Sequence, residues 1–511
     1  MTDKSPQPAT LEAEGRSLAR TLCKLTGLES TNETCSNGQY VFVERLVKKG
    51  TAAGRYKVRV VGSHKACAIK VDNLEPQSIP SFLFQTPLAQ RLETTSHAPE
   101  LTLFDVAAVG RSCKDFLSSV GQEHITICAE SVDAYVAKLK AALADSTSNI
   151  CKEVQDGRTG ACRRLPLQFP SVDHEINFWV IQRLLCFGSG YVGGSERLRD
   201  IVERGMINIF IAKSQRFDAE FMSTFTLHDV QDQFGVKVEE DVNVIGSAVK
   251  RSQIGGALVP FARDIVQALN TCGQKLRRLG CNDFAMLLRQ VKEVNDKLSP
   301  VSTTSPTPTP ANPQHRAPAI VSITKDLLKA HSHLKGNTVA TMASVLAYCF
   351  DAFRDTSVGQ YAQEGGWTLR PLVFLENAQL AVLDAVRVWS SKEAGWGNLD
   401  IRPLQLGSSA AIAEFFLRLG LIAPTESLLT SLAAGNVHKT FAVDSDRTNA
   451  VRSSCVVVMN TICSELALEP AALQYYFERE LQRQTSTRQA EKSDVVEVKP
   501  IQFLVKGTKY F

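Results

Sequence analysis

Apolar positions change period along this chain. Between residues 39 and 76 they alternate with period two, in QYVFVERL, RYKVRVVG and ACAIKV, punctuated by Gly50, Gly54, Gly62 and Asn73 and closed by NLEP. Alternation at that spacing predicts short, half-buried strands in a small SH3-like β module. From Leu101 onward the spacing becomes helical. Ser131 is placed to cap a helix with Val132, Tyr135, Val136, Leu139 and Leu143 on its buried stripe. Asp283 stands in the same relation to Phe284, Leu287, Leu288, Val291 and Val294, and Leu258–Gly280 is a third long amphipathic segment ended by a glycine. Two more helices are expected between Phe374 and Ile422, around a break at Gly395–Asn398. Leu380, Leu383, Asp384 and Val388 mark the first; Ile412, Phe415, Phe416 and Leu419 mark the second, which Gly420 can end in the left-handed conformation. The expected fold class is mainly α, a helical domain with a small β module in front.

Composition divides the chain further. Residues 1–38 are polar, with one short amphipathic helix candidate at Leu18–Leu28; residues 39–76 form the β module and 102–511 the helical domain. The Pro/Thr/Ser-rich stretch Ser299–Ala319 cannot continue a helix, because proline withdraws backbone donors and fixes φ. It is expected to be a disordered insertion, with helices resuming at Ser322. Gln482–Lys499 is read as a second polar loop.

Charge and cysteine usage narrow the function classes. A net charge of +4 over 511 residues gives no bulk electrostatic argument for nucleic acid. The β module does concentrate basic residues (Arg45, Lys48, Lys49, Arg55, Lys57, Arg59, Lys65 and Lys70), so a peptide- or RNA-binding face stands beside the plainer reading of solvated strands. Thirteen cysteines include no CxxC pair, and several sit among apolar residues as small hydrophobes, which favours a reducing compartment. The first thirty residues lack an apolar signal core, and no run of eighteen apolar residues occurs. Cytoplasm, with nuclear access open, is the expected location, and no membrane partner is expected. No HExxH, zinc-finger spacing or GxSxG elbow is present, so neither a metal nor any other cofactor is expected; His331 and His333 are the one close histidine pair.

The order of several segments is similar to the queuosine salvage protein family. Ala378, Gln379 and Asp384 on an aliphatic helix, then Asp400 and Ile401, then Leu419 and Gly420 follow that family's succession. SCKDFLSSV (Ser112–Val120), INFWVIQRLLCFGSGY (Ile176–Tyr191), TFTLHDVQDQF (Thr224–Phe234), LQYYFERELQR (Leu473–Arg483) and the closing FLVKGTKYF lie in family order across roughly residues 102–511. The resemblance implies a fold like the helical DNA glycosylases. It also implies hydrolysis of the N-glycosidic bond of queuosine 5'-phosphate, releasing queuine for tRNA modification. Four departures stand against direct transfer, one of them an early His-Pro step that falls on Phe169 and Pro170. The family's Phe-Ala-Asp motif, whose Asp carries the nucleophilic or electrostatic role, falls on Gly407, Ser408 and Ser409. Its Trp-Asp-Tyr segment becomes Glu478, Arg479 and Glu480, and Glu376 stands where the family carries a Lys.

Cleaving a C1'–N bond develops oxocarbenium character, so a carboxylate near C1' and hydrogen bonds or stacking for the leaving base are needed. Asp384 and Asp400 are the candidate catalytic carboxylates, each with a structural alternative: an internally satisfied carboxylate for Asp384, a capping residue for Asp400. Candidate substrate contacts are Phe187, Ser189, Gln379, Ser408, Ser409, Tyr475 and Tyr476. The glycine-rich turn Phe187–Gly194 is a weak phosphate signal. Asp173, His174 and Glu175 form an acidic cluster that a helix dipole alone explains. The alternative to an enzyme is a catalytically silent relative acting as a nucleotide-binding or protein-interaction scaffold; an unrelated helical scaffold is the third reading.

Overall fold

A computed structural model describes residues 22–28, 35–47, 52–60, 66–76, 101, 104–159, 167–187, 198–212, 217–243, 250–256, 258–299, 317–363, 366–393, 396, 399–426, 428, 441–442, 446–490 and 505–506. The protein is mainly helical, with a small antiparallel sheet at its N-terminal end.

That sheet holds β1 (Leu22–Leu25), β2 (Tyr40–Leu46), β3 (Tyr56–Val60), β4 (Ala66–Ile69) and β5 (Leu74–Pro76), in the order β4-β3-β2-β1-β5. The alternation seen in the sequence becomes its buried face: Cys23 and Leu25, Val41 and Val43, Val58 and Val60 point inward with Ile69 and Leu74. A bulge between Val43 and Arg45 shifts the β2–β3 register. Two expectations change here. Leu22–Leu25, inside the Leu18–Leu28 helix candidate, is a strand, because pairing with both β2 and β5 outweighs a weak local helical preference. Cys35 and Cys67 form a disulfide within the module, against the reducing compartment that cysteine usage favours. Glu44 binds Lys57 at 2.9 Å and Arg59 through its Nε at 2.9 Å, so two of the module's cations are already paired.

The helical body begins with α1 (Ala108–Ser119), β6 (Ile125–Ile127), α2 (Ala129–Ala144), α3 (Asn149–Thr159), α4 (Val172–Leu185) and α5 (Leu198–Ala212). It continues through α6 (Ala219–Ser223), α7 (Leu227–Phe234), the β7–β8 hairpin (Glu239–Asn243 and Lys250–Ile254), α8 (Val259–Leu279) and α9 (Phe284–Leu298). Next come α10 (Pro318–Ala330), α11 (Thr338–Cys349), the β9–β10 hairpin (Thr356–Gln363 and Gly366–Val373) and α12 (Glu376–Lys392). Last are α13 (Ala410–Arg418), β11 (Ile422–Pro424), β12 (Phe441–Ala442), α14 (Asp446–Leu466), α15 (Pro470–Ala490) and β13 (Val505–Lys506). β11 pairs antiparallel with β6, and β12 runs parallel to β13.

Local signals set many boundaries. Asp283 caps α9 through the Met286 amide, Thr226 forms a capping box with Asp229 on α7, and Gly280 and Gly420 adopt positive φ after α8 and α13. Elsewhere tertiary packing moved the ends. α2 starts at Ala129 after Cys128 rather than at a Ser131 cap. α10 starts at Pro318, four residues before Ser322, because Ala317 is fully buried and its amide donates to Gln290 Oε1 at 2.9 Å. Residues 317–319 therefore belong to the body rather than to the expected insertion, whose 300–316 portion lies outside the described residues. Likewise α15 runs on to Ala490, through half of the expected polar loop; 491–499 lie outside the described residues.

Two helices form the middle of the body. In α4 every residue from Ile176 to Leu185 is buried, and in α12 every residue from Glu376 to Val386. A helix buried on all sides has no polar face, so its charges must find partners inside. No single helix among the described residues is long and apolar enough to cross a membrane; α14 and α15 pass such a test only together, across a 114° bend.

Close helix contact depends on a glycine at one place. A Cβ on Gly273 of α8 would lie 2.5 Å from the Ser223 amide nitrogen and 2.6 Å from the Ala219 carbonyl oxygen of α6. Because backbone atoms cannot yield as a side chain does, Gly273→Ala should destabilise the body by about 1–3 kcal/mol. Chemical denaturation should show a lower midpoint with an unchanged slope; an unchanged midpoint would mean that the two helices do not touch there.

Candidate functional site: a buried carboxyl cluster

The polar centre of the body lies where the N-terminus of α12 meets the Gly407–Ser409 turn, α14 and α15. The chain enters α12 through Leu375, a fully buried residue at φ +54°. That left-handed conformation costs a non-glycine residue roughly 1–2 kcal/mol. It is held by the Asp355 carbonyl, which accepts the amides of Phe374 (2.9 Å) and Leu375 (3.0 Å). The turn delivers Glu376 into the core, where it is 2% exposed.

Four donors surround the Glu376 carboxyl: Gln474 Nε2 at 2.8 Å, and the Gly407 amide, the Ser408 amide and the Ser408 hydroxyl, each at 3.2 Å. Gly407 makes this approach possible at φ +117°, where a Cβ would stand 3.0 Å from that of Met459. Arg452 of α14 closes the cluster. It donates to Asp355 Oδ2 at 2.6 Å and to the Ser408 carbonyl at 3.3 Å, and its guanidinium lies 3.7 Å from the Phe374 ring centre. Burial drives the Glu376 pKa up, with Asp355 adding to the rise; the Gln474 and Ser408 hydrogen bonds and Arg452 oppose it without reversing it. Several buried polar atoms nearby have no hydrogen-bond partner: Asp355 Oδ1, Gln474 Oε1, Ser409 Oγ, Ser453 Oγ and Asn377 Nδ2. Such a concentration is unusual for a finished core.

The sequence candidates distribute unevenly around this cluster. Ser408 belongs to it, and Ser409 borders it with an unpaired hydroxyl. Gln379, fully buried, clamps backbone: its Nε2 donates to the carbonyls of Phe374 and Gln405, and its Oε1 accepts the Gln405 amide at 2.6 Å. It therefore holds the 400–409 segment against α12. Asp384 is two turns further along α12, and Arg183 Nε of α4 donates to it at 2.7 Å while Arg387 stands 3.5 Å away. Burial alone would lower the Arg183 pKa, yet Asp384 and Glu478 hold it raised, so the pair stays ionised. Asp400 is exposed and caps a turn: its Oδ1 accepts the Arg402 amide at 3.0 Å and Arg402 Nε at 2.8 Å. Phe187 is core, packed edge-on against Phe261 at 5.8 Å, and Ser189 lies outside the described residues. Tyr476 is buried beside Phe477, and the Tyr475 hydroxyl accepts from Arg479 at 2.9 Å. The Asp173–Glu175 cluster is used in peripheral pairs, Asp173 with Arg289 and Glu175 with Lys392.

Asp355, Arg452, Gln474 and Glu478 were not singled out as a site by the sequence reading. Glu478 accepts from Gln474 Nε2 at 3.2 Å and faces Arg199 at 3.4 Å, which extends the cluster toward α5. A charge within an apolar helical run was the available signal, in AVRSSCVVVM around Arg452 as in LENAQLAVLDAV around Glu376 and Asp384. No family model matches this chain, and no curated protein matches it.

Two predictions follow from this charge arrangement. Asp384→Asn removes the carboxylate hydrogen-bonded to Arg183 and leaves only the more distant Glu478 to balance it, which should cost about 3 kcal/mol, whereas Arg183→Met with Asp384→Leu should recover most of that loss. Equilibrium denaturation of the single and double variants checks it; a single variant as stable as wild type would show that the pair is dispensable. For Glu376, the folded pKa lies above that of the unfolded chain, so the folded state binds the extra proton. Stability from the protonated form is complete at acid pH and is lost as pH rises from the ordinary carboxylate range through the raised value. The Tm of wild type minus that of Glu376→Gln should therefore decrease with rising pH; a flat or opposite difference would sink the assignment.

Proposed function

We propose that the helical body hydrolyses the N-glycosidic bond of a nucleoside 5'-monophosphate, with queuosine 5'-phosphate as the substrate that the resemblance implies and Glu376 as the acting carboxyl. The carrying observation is the Glu376 cluster: a buried carboxyl of raised pKa bonded to the Gly407–Ser408 turn, beside the unpaired Ser409 hydroxyl. A carboxyl that retains its proton can deliver it to the departing base, and once ionised it balances positive charge at C1' while water adds there. The resemblance puts the family's aspartate at Ser409, directly after Ser408, which donates to Glu376. A carboxyl supplied from α12 would then reach the same turn from the opposite side. In this reading Ser408, Ser409 and Gln474 contact substrate, and Asp384 and Gln379 position α12. The helical body would be of the helical DNA-glycosylase kind, the N-terminal sheet an SH3-like module for peptide or RNA, and the location cytoplasmic.

A second reading, a catalytically silent relative, is favoured by one feature. Glu376 is sealed by its own donors, and Asp384 is committed to Arg183, so each carboxylate already has an internal structural role. Mass spectrometry of free queuine after incubation with queuosine 5'-phosphate separates the two. The enzyme reading expects turnover that Glu376→Gln reduces by about 10²–10⁴-fold while the variant stays folded at neutral pH. Absence of turnover from folded wild type, with a thermal shift on adding the nucleotide, would favour the silent relative. Turnover undiminished in Glu376→Gln would remove Glu376 from the chemistry.

A further inference from the structure

Away from that cluster, the start of the helical body meets the turn between α10 and α11, and three side chains converge there. Asp105, 3% exposed, precedes α1; His331, 8% exposed, ends α10; His333 follows two residues later on a short 3₁₀ turn. One nitrogen of each imidazole and one carboxylate oxygen lie within 4.8 Å of one another. His333 Nε2 is 2.9 Å from Asp105 Oδ1, and His331 Nδ1 is 3.9 Å from Asp105 Oδ2.

The tautomer of His331 gives the arrangement its meaning. Its Nε2 lies 3.0 Å from the Leu101 carbonyl oxygen, which can only accept, so Nε2 carries the proton. In the neutral ring Nδ1 is then a bare lone pair, directed at a carboxylate oxygen at 3.9 Å, beyond hydrogen-bond length. Two electron-rich atoms from buried residues face each other across a gap. Donation of the far ring nitrogen to a backbone carbonyl is also how metal-bound histidines are oriented. We propose that Asp105, His331 and His333 bind a divalent transition-metal ion, zinc being the first to test. Two imidazoles and one carboxylate suit that class once the His333 proton moves from Nε2, which now faces Asp105 Oδ1, to Nδ1, and three protein ligands leave a coordination position open to solvent. Entry runs past His333, whose side chain is 48% exposed.

The ion has two resident competitors, and the first is the Ala107 amide, which donates to Asp105 Oδ1 at 2.9 Å. The second, Arg111, places its guanidinium 3.6 Å from Asp105 Oδ2, but its side chain is 74% exposed and free to swing outward. Asp105 and His333 are 228 residues apart in sequence, so a bound ion would fasten the entry to α1 onto the α10–α11 turn.

The test uses the full-length protein, stripped with chelator and titrated with zinc chloride by calorimetry, with cobalt(II) chloride as the spectroscopic probe. The expected result is one equivalent bound with a raised Tm, and a cobalt spectrum lacking thiolate charge transfer, which sets the free cysteines aside. His333→Ala changes a half-exposed residue and should leave the fold intact. It should weaken zinc binding by more than about 100-fold, since loss of even an outer partner of a ligand costs about 10–100-fold. Asp105→Asn should weaken binding as well. Failure to bind a stoichiometric ion, a thiolate signature in the cobalt spectrum, or binding that survives both substitutions would overturn the assignment.

Discussion

The helical body is organised around the need to neutralise charge on two helices that have no exposed face. α4 and α12 lie side by side in the core, and Arg183 of one meets Asp384 of the other at 2.7 Å. Removing either partner alone would leave a buried ion without its hydrogen-bonded counter-charge, in a medium that solvates it poorly. The pair therefore fixes the register of α12 against α4, and with it the position of Glu376 two turns earlier on the same helix. The stacked pair Trp389 and Trp396, 3.7 Å apart, and the Arg289 guanidinium over both rings secure the other end of α12.

With α12 fixed, the strained entry at Leu375 and the open conformation at Gly407 become parts of one device. Asp355 holds the backbone before α12 with its carbonyl and Arg452 with its carboxylate, and Arg452 in turn reaches Ser408. Each of these residues has its place because another holds it, and Glu376 is the group they enclose. Strain that is tolerated beside a buried ionisable group is a pattern that functional sites share. A purely structural carboxylate joining α12 to the start of α13 would use the same donors, which is why activity rather than geometry separates the two readings.

Much of the fold was legible locally. The period-two alternation between residues 39 and 76 became three of the five strands, and Asp283, Thr226, Gly280 and Gly420 end or begin helices through chemistry contained within a few residues. The site was legible only in part. Gln379, Ser408 and Ser409 fell near the cluster because their segment was already conspicuous. Asp384 stands out in the sequence because an acid in an apolar helix demands an explanation; its explanation is Arg183, 201 residues away. Asp400, equally prominent in sequence, pairs with Arg402 in an exposed turn.

What the sequence determined by itself is therefore the set of interactions that close over short separations: alternation, helical stripes, caps and glycine stops, whose energetics depend on neighbours a few residues away. Which charges pair was decided by tertiary structure alone, because Glu376 and Gln474 are 98 residues apart, Arg452 and Asp355 97, and Asp105 and His333 228. The same reason explains the early start of α10 and the strand at Leu22–Leu25. At each of these places a local preference of a few tenths of a kcal/mol met burial or pairing worth more, and the distant partner prevailed.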